Sequence, residues 1–274
     1  MPFENITDPS FFFYSSKHKE ALSRMLYAIR ESKGAAILTG ECGGGKTLLS
    51  KVLLRELSSD QYHSAIIFNP VLPPLELIKE IIYQLGGDTS SLRKRPSKIE
   101  LLHYLNEILS INRNANKRTI IVIDEAQTVS MDSFEELRLL LNFQFNDGLL
   151  FTLIFLGQPE LKNKMNNLPQ LKQRLAVRYH LKALTKDETK GYVQHRLTIA
   201  GSSTEIFRED AFNEIYKFSG GLPRRINNIC DMALLVGCGE GLDNIGKEVI
   251  LQVAEDLEET PIYVEGEVGS QSYG

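Results

Sequence analysis

The segment Gly40-Glu41-Cys42-Gly43-Gly44-Gly45-Lys46-Thr47 fits the spacing G-x-x-x-x-G-K-[ST]. Glycines at this density let consecutive backbone N–H groups curl around phosphate oxygens. A helix starting at Lys46 would add the favourable end of its dipole. Lys46 is then placed to reach the β- and γ-phosphates of a nucleoside triphosphate. Thr47 can offer its hydroxyl to Mg²⁺, and the stretch from Gly40 through Leu48 holds the phosphates. Further along, four apolar residues, Ile120-Ile121-Val122-Ile123, run into Asp124-Glu125. Downstream of a phosphate loop this pair has two distinct uses. Asp124 would sit near Mg²⁺, through water, and Glu125 would orient and deprotonate an attacking water. Phosphoryl transfer asks a protein mainly for positioning and charge neutralisation, and these residues supply both.

The elements that must position these groups are legible in the hydrophobic pattern. Apolar runs predict strands over 35–38, 65–68, 119–123, 150–156 and 177–181. Periodicity near 3.6 predicts helices over 17–32, 46–57, 75–85, 99–109 and 134–141. Strands apolar on both faces suit the interior of a parallel sheet covered by helices. Their alternation with helices gives an α/β sheet of right-handed crossovers. After Leu184 the strand signals stop. Thr185 and Glu188 have capping-box spacing, and helices follow over 185–199, 210–218, 223–235 and 245–257. The expected organisation is an α/β core over 1–184, a small all-helical lid over 185–257, and a disordered acidic tail over 258–274.

Several other residues have two readings each. Asn69 closes the second strand, either as a turn residue before Pro70 or as an amide that holds Glu125 away from water. Gln158 closes the fourth strand. With strand order 5-1-4-3-2 it lies between the two motif strands and can touch the γ-phosphate; otherwise it is a plain helix-start residue. Arg174 and Arg178 are either solvated or able to stabilise a transferring phosphoryl group in a neighbouring subunit; Arg174, after the fourth strand and its following helices, is expected near the carboxyl edge of the sheet but away from its own phosphate loop. Pro223 suits the first turn of a helix, which puts Arg224 at the start of a lid helix, where it could reach the nucleotide. Phe11-Phe12-Phe13-Tyr14 either packs the first helix on the core or walls an adenine pocket. Arg93-Lys94-Arg95 reads as a solvated basic run.

Composition narrows the class. With 42% apolar and 24% charged residues in 274, the chain reads as an ordinary globular protein. The longest apolar stretch is far shorter than the ~20 residues a membrane helix needs. The N-terminus lacks a secretory signal, and Cys42, Cys230 and Cys238 are too scattered for a disulfide framework or metal cluster. The five histidines show no metal spacing. These features favour the cytoplasm. The formal charge is −4 overall, but the segment from Gly239 onward holds nine acidic residues and one lysine. The remainder is only weakly basic, which does not argue for life on DNA.

With these residues assembled, the chain resembles the AAA+ ATPases of the general secretion pathway A (ExeA-like) family. The segments that carry the resemblance are Asp8-Pro9-Ser10-Phe11-Phe12-Phe13-Tyr14, Leu38-Thr39-Gly40-Glu41, Ile123-Asp124-Glu125-Ala126-Gln127, Leu156-Gly157-Gln158-Pro159-Glu160-Leu161, Gln173-Arg174-Leu175-Ala176-Val177-Arg178-Tyr179-His180-Leu181 and Gly221-Leu222-Pro223-Arg224-Arg225-Ile226-Asn227. The resemblance implies a three-layer αβα P-loop NTPase core with a helical lid, ATP and Mg²⁺ as ligands, and ATP hydrolysis. It implies nucleotide-dependent homo-oligomers, with Arg174 as a finger in trans and Arg224 as sensor 2. Long members of the family carry a membrane helix and a peptidoglycan-binding domain, and this chain is more similar to the short relatives associated with pilus biogenesis. A protein partner in a secretion or pilus system is implied, one able to hold the chain at the inner membrane. A second resemblance, to ATPases that regulate transposition target choice, would make DNA and a transposase the partners.

Overall fold

The computed structural model describes residues 1–88, 96–145, 148–202 and 204–262. The basic run Arg93-Lys94-Arg95 and most of the acidic tail lie outside the described residues. The chain divides into two compact units: a sheet unit of His18–Cys42 and Lys46–Leu181, and a helical unit of Met1–Lys17, Gly43–Gly45 and Lys182–Gly274.

The sheet unit is built on five parallel strands: β1 (Ala35–Gly40), β2 (Tyr62–Ile67), β3 (Arg118–Ile123), β6 (Phe151–Gly157) and β7 (Leu175–Leu181). Their order is β2-β3-β6-β1-β7. Counted over the long strands alone this is 5-1-4-3-2, the arrangement that puts Gln158 between the two motif strands. Two short strands, β4 (Gln144–Phe145) and β5 (Gly148–Leu149), pair antiparallel; at two residues each they carry no periodicity to read. β1, β3 and β6 are buried on both faces. Ala35, Ile37, Ile121, Ile123, Leu153 and Phe155 join one apolar cluster with α3 (Pro74–Gln84), α4 (Lys98–Asn114), α5 (Met131–Leu140), α6 (Glu160–Asn166) and α7 (Pro169–Arg174). The alternate residues Ala36, Leu38, Ile120, Val122, Ile154 and Leu156 are equally buried but stand outside that cluster. They form the opposite face, where α2 (Lys46–Arg55) touches β1 and β6 with its buried Leu49 and Leu53. The period-two switch of side chains is what lets one sheet carry two helical layers. Some predicted elements lengthen, as 99–109 does to Lys98–Asn114, and others shorten, as 46–57 does to Lys46–Arg55. β2 ends at Ile67, leaving Phe68 half exposed. α6 and α7 are the helices expected after the fourth strand; at seven and six residues they are too short for a periodic signature to give their bounds.

The helical unit holds α8 (Lys186–Ile199), α9 (Glu209–Ser219), α10 (Pro223–Glu240) and α11 (Lys247–Asp256) around their own core. The Thr185–Glu188 capping box is formed, and Pro223 opens α10 as expected. The domain boundary at 184 needs one correction. Met1–Lys17 groups with the helical unit, because Phe3 is buried in that unit's core beside Phe207. The aromatic run follows it: Phe13 meets Tyr192 edge-on at 6.0 Å and His195 at 5.7 Å. Thus Phe13 of the run packs on α8, and α1 (Ser16–Arg30) follows the run in the chain. Arg196, only 3% exposed, anchors the same segment. It donates to the Pro2 and Glu4 carbonyls, Tyr192 Oη and Asn227 Oδ1, and stacks over Phe11. A buried guanidinium needs its donors satisfied, and backbone carbonyls of the N-terminal segment do this.

Candidate active site

β1 ends at Gly40, and the chain turns through Gly43 and Gly45, at φ 75° and 92°, before α2 begins at Lys46. Gly43 has a second reason to lack a side chain. Within the helical unit, the Arg224 N–H donates to the Gly43 carbonyl at 3.2 Å, and a Cβ on Gly43 would lie 2.6 Å from that of Arg224. Glu41 and Cys42 are exposed, and the Arg224 side chain is exposed as well. Gly221, which precedes α10, is similarly constrained: at φ 72° a Cβ there would meet the Leu184 carbonyl at 2.0 Å.

Lys46 folds back into its own loop. Its Nζ donates to the Gly40 carbonyl at 2.8 Å and the Glu41 carbonyl at 2.9 Å. The residue is 5% exposed. Burial lowers its pKa from the usual lysine value, against the opposing pull of Glu125 and Asp124. Thr47 Oγ1 donates to Asp124 Oδ2 at 2.6 Å, joining the start of α2 to the end of β3. The Asp124 N–H donates to the Ile67 carbonyl at 2.9 Å, fixing that end against β2. Asp124 is 2% exposed. Burial raises its carboxyl above the ordinary carboxylate range, while hydrogen bonds from Thr47 and the Glu125 N–H pull it down.

Glu125 sits at φ 49°, ψ 37°, in the left-handed region. A non-glycine residue there is uncommon and costs ~1–3 kcal/mol. The turn that follows, Ala126–Thr128, holds it: the Thr128 N–H and Oγ1 both donate to the Glu125 carbonyl. The Glu125 side chain enters a ring of three. Gln127 Nε2 donates to Glu125 Oε2 at 2.5 Å, Gln158 N–H donates to Gln127 Oε1 at 3.0 Å, and Gln158 Nε2 stands 3.4 Å from Glu125 Oε2. Gln158 follows β6, which lies between β3 and β1, so the strand order places it where its spacing suggested.

Two expectations are corrected by this geometry. Asn69 is exposed, and the amides that reach Glu125 belong to Gln127 and Gln158. β2 ends before Asn69, so the chain has already left the sheet. Arg174 was expected near the carboxyl edge of the sheet. The register pairs Ala35 with Leu175 and Gly40 with Leu181, which puts Arg174 at the amino edge, a strand's length from the phosphate loop. There its guanidinium donates to the Leu141 carbonyl at 3.0 Å and Asn142 Oδ1 at 2.6 Å. Arg178 is exposed on β7 and donates to the Lys172 carbonyl. Gln127 is the residue that spacing did not single out. Its signal was a polar side chain two positions after Glu125, in a turn tight enough to fold it back.

The AAA domain profile matches residues 29–165, from the end of α1 through both motifs to α6. The chain belongs to the AAA domain family. It is 36% identical over 248 residues to the general secretion pathway protein A of Aeromonas hydrophila, covering 89% of this chain and 44% of that protein. A potential ATP-binding protein of Staphylococcus aureus is 26% identical over 141 residues, half of each chain. The chain thus spans half or less of these relatives. Among solved structures, the ORC2 protein of Aeropyrum pernix in ADPNP–ADP complexes matches with a TM-score of 0.71 at 18% identity, over 96% of this chain and 72% of that one. The RuvB Holliday junction branch migration motor of Thermotoga maritima matches at 0.60 and 20% identity, over 90% and 70%. At such identities these structures speak for the fold alone. No helix among the described residues is long and apolar enough to cross a membrane.

Proposed function

We propose that this AAA protein binds ATP with Mg²⁺ and hydrolyses it, as an oligomeric switch or motor in a secretion or pilus assembly system. The Thr47–Asp124 contact carries the reading. It brings a hydroxyl and a carboxylate from two elements together beside Lys46, with Glu125 on the next residue. The donor set fits a small hard cation, which prefers oxygen ligands and keeps several waters. Thr47 and Asp124 would hold it, and when bound it would neutralise phosphate charge. Lys46, now satisfied only by two loop carbonyls, has an ammonium free to exchange them for phosphate oxygens. Glu125 takes the proton of the attacking water, and Gln158 senses the terminal phosphate from the neighbouring strand. Arg224, whose backbone lies on Gly43, serves as the lid arginine, and Arg174 acts on a second copy's nucleotide. The secretion role rests on the Aeromonas relative.

A positioned base contributes typically ~10²–10⁴-fold. Glu125→Gln should therefore bind ATP normally and turn it over slower by a factor in that range. Unchanged turnover would remove Glu125 from the role of base.

A further inference from the structure

We infer that Gln127 is a positioning residue for the base: it aims the Glu125 carboxylate and ties it to the segment that begins at Gln158. The inference rests on Glu125 acting as the base.

The chemistry of the ring allows only one arrangement. A backbone N–H can only donate, and an ionised carboxylate can only accept. Gln127 lies between them, so its Oε1 must face Gln158 N–H and its Nε2 must face Glu125. The observed bonds, at 3.0 and 2.5 Å, have this polarity. Glutamine alone offers an acceptor and a donor at this reach; asparagine is a methylene shorter, and glutamate has no donor. The approach is tight: a Cβ at Gly157 would lie 2.9 Å from Gln127 Oε1 and 3.3 Å from Gln127 N. A side chain at Gly157 would therefore push Gln127 out of the ring. Glu125 Oε2 takes the amide bonds, which leaves Oε1 to receive a proton from water. Any shift of the Gln158 backbone moves the Gln127 amide and, with it, the base. Gln127 contacts neither phosphate nor water in this scheme and works through Glu125.

The test compares Gln127→Met and Gln127→Glu, each alone, and Gln127→Met in the Glu125→Gln background. Single-turnover ATPase rates, KM and MgATP affinity are measured for all. Misplacing a catalytic group by about an ångström costs up to ~10²-fold, so kcat should fall ~10- to 100-fold in both single variants. KM and MgATP affinity should stay within about twofold, which also reports that the variants fold. Gln127→Glu keeps the acceptor for Gln158 N–H; a purely structural role would leave its kcat near wild type, and that result overturns the inference. In the Glu125→Gln background the added Gln127→Met change should cost nothing further, because its target is gone. An equal loss there would show that Gln127 acts independently of Glu125 and also overturns the inference. If Glu125→Gln itself turns over normally, the base assignment fails and this inference falls with it. Loss in Glu125→Gln with wild-type kcat in both Gln127 variants leaves the base standing and removes Gln127 alone.

Discussion

Arg174→Ala should abolish most turnover without weakening ATP binding, and the reason is distance. Arg174 precedes Leu175, which pairs with Ala35, whereas the phosphate loop begins at Gly40. Five steps along β1 at ~3.3 Å each separate the two by about 17 Å, farther than an arginine side chain extends. Within one chain Arg174 therefore cannot touch its own nucleotide. On a second copy it can, after giving up its bonds to the Leu141 carbonyl and Asn142 Oδ1. Each such bond is worth ~0.5–1.5 kcal/mol net, or about 1–3 kcal/mol for the pair. An arginine finger returns ~10³–10⁵-fold in rate, roughly 4–7 kcal/mol. The barrier falls by more than these bonds cost, so turnover with a partner's finger stays faster than turnover without one. Specific ATPase activity should then rise with protein concentration at the dilute end. A mixture of Arg174→Ala with Glu125→Gln should recover activity, since an interface can pair an intact Glu125 with an intact Arg174. Activity independent of concentration, with no recovery in the mixture, would refute the trans arrangement and return Arg174 to its role of tying α7 to the end of α5.

Lys46→Ala should abolish ATP binding by calorimetric titration while far-ultraviolet circular dichroism stays unchanged, because Lys46 bonds only to loop carbonyls; wild-type affinity would refute the phosphate-loop assignment. Asp124→Asn should stabilise the nucleotide-free protein at neutral pH. Burial raises the folded carboxyl above its ordinary 3.8, so the stability it contributes is complete below that value and lost as pH rises through the higher folded one. The ionised carboxylate is thus a liability near neutrality, and the gain in thermal midpoint should shrink toward pH ~4. An equal fall in midpoint at both pH values would count against this.

The motifs and the layers were legible in the residue order because both are local. A phosphate loop is made by consecutive backbone groups, and Gly40 to Thr47 carry its conformational needs within eight positions. Strands buried on both faces announce themselves as unbroken apolar runs, and β3 and β6 do so. The capping box at Thr185 and the proline at the start of α10 are read the same way. Right-handed crossovers narrow the topologies, but which strands lie side by side, β2-β3-β6-β1-β7, comes from the structure.

What the tertiary structure decided depends on groups far apart in the chain. Gln158 and Glu125 are 33 positions apart, and only the adjacency of β6 and β3 brings them together. Gln127 gains its role from that adjacency, and Asn69 loses its own because β2 ends too early to aim it. Which edge of the sheet holds Arg174 is a matter of register between β1 and β7, and residue order does not encode register until both strands are paired. The N-terminal segment joins the helical unit through Phe3 in that unit's core and through Arg196, which finds acceptors at Pro2 and Glu4, 194 and 192 positions away. Local pattern sets which elements form. The burial of polar groups, each of which must find a partner wherever the fold supplies one, sets what those elements do.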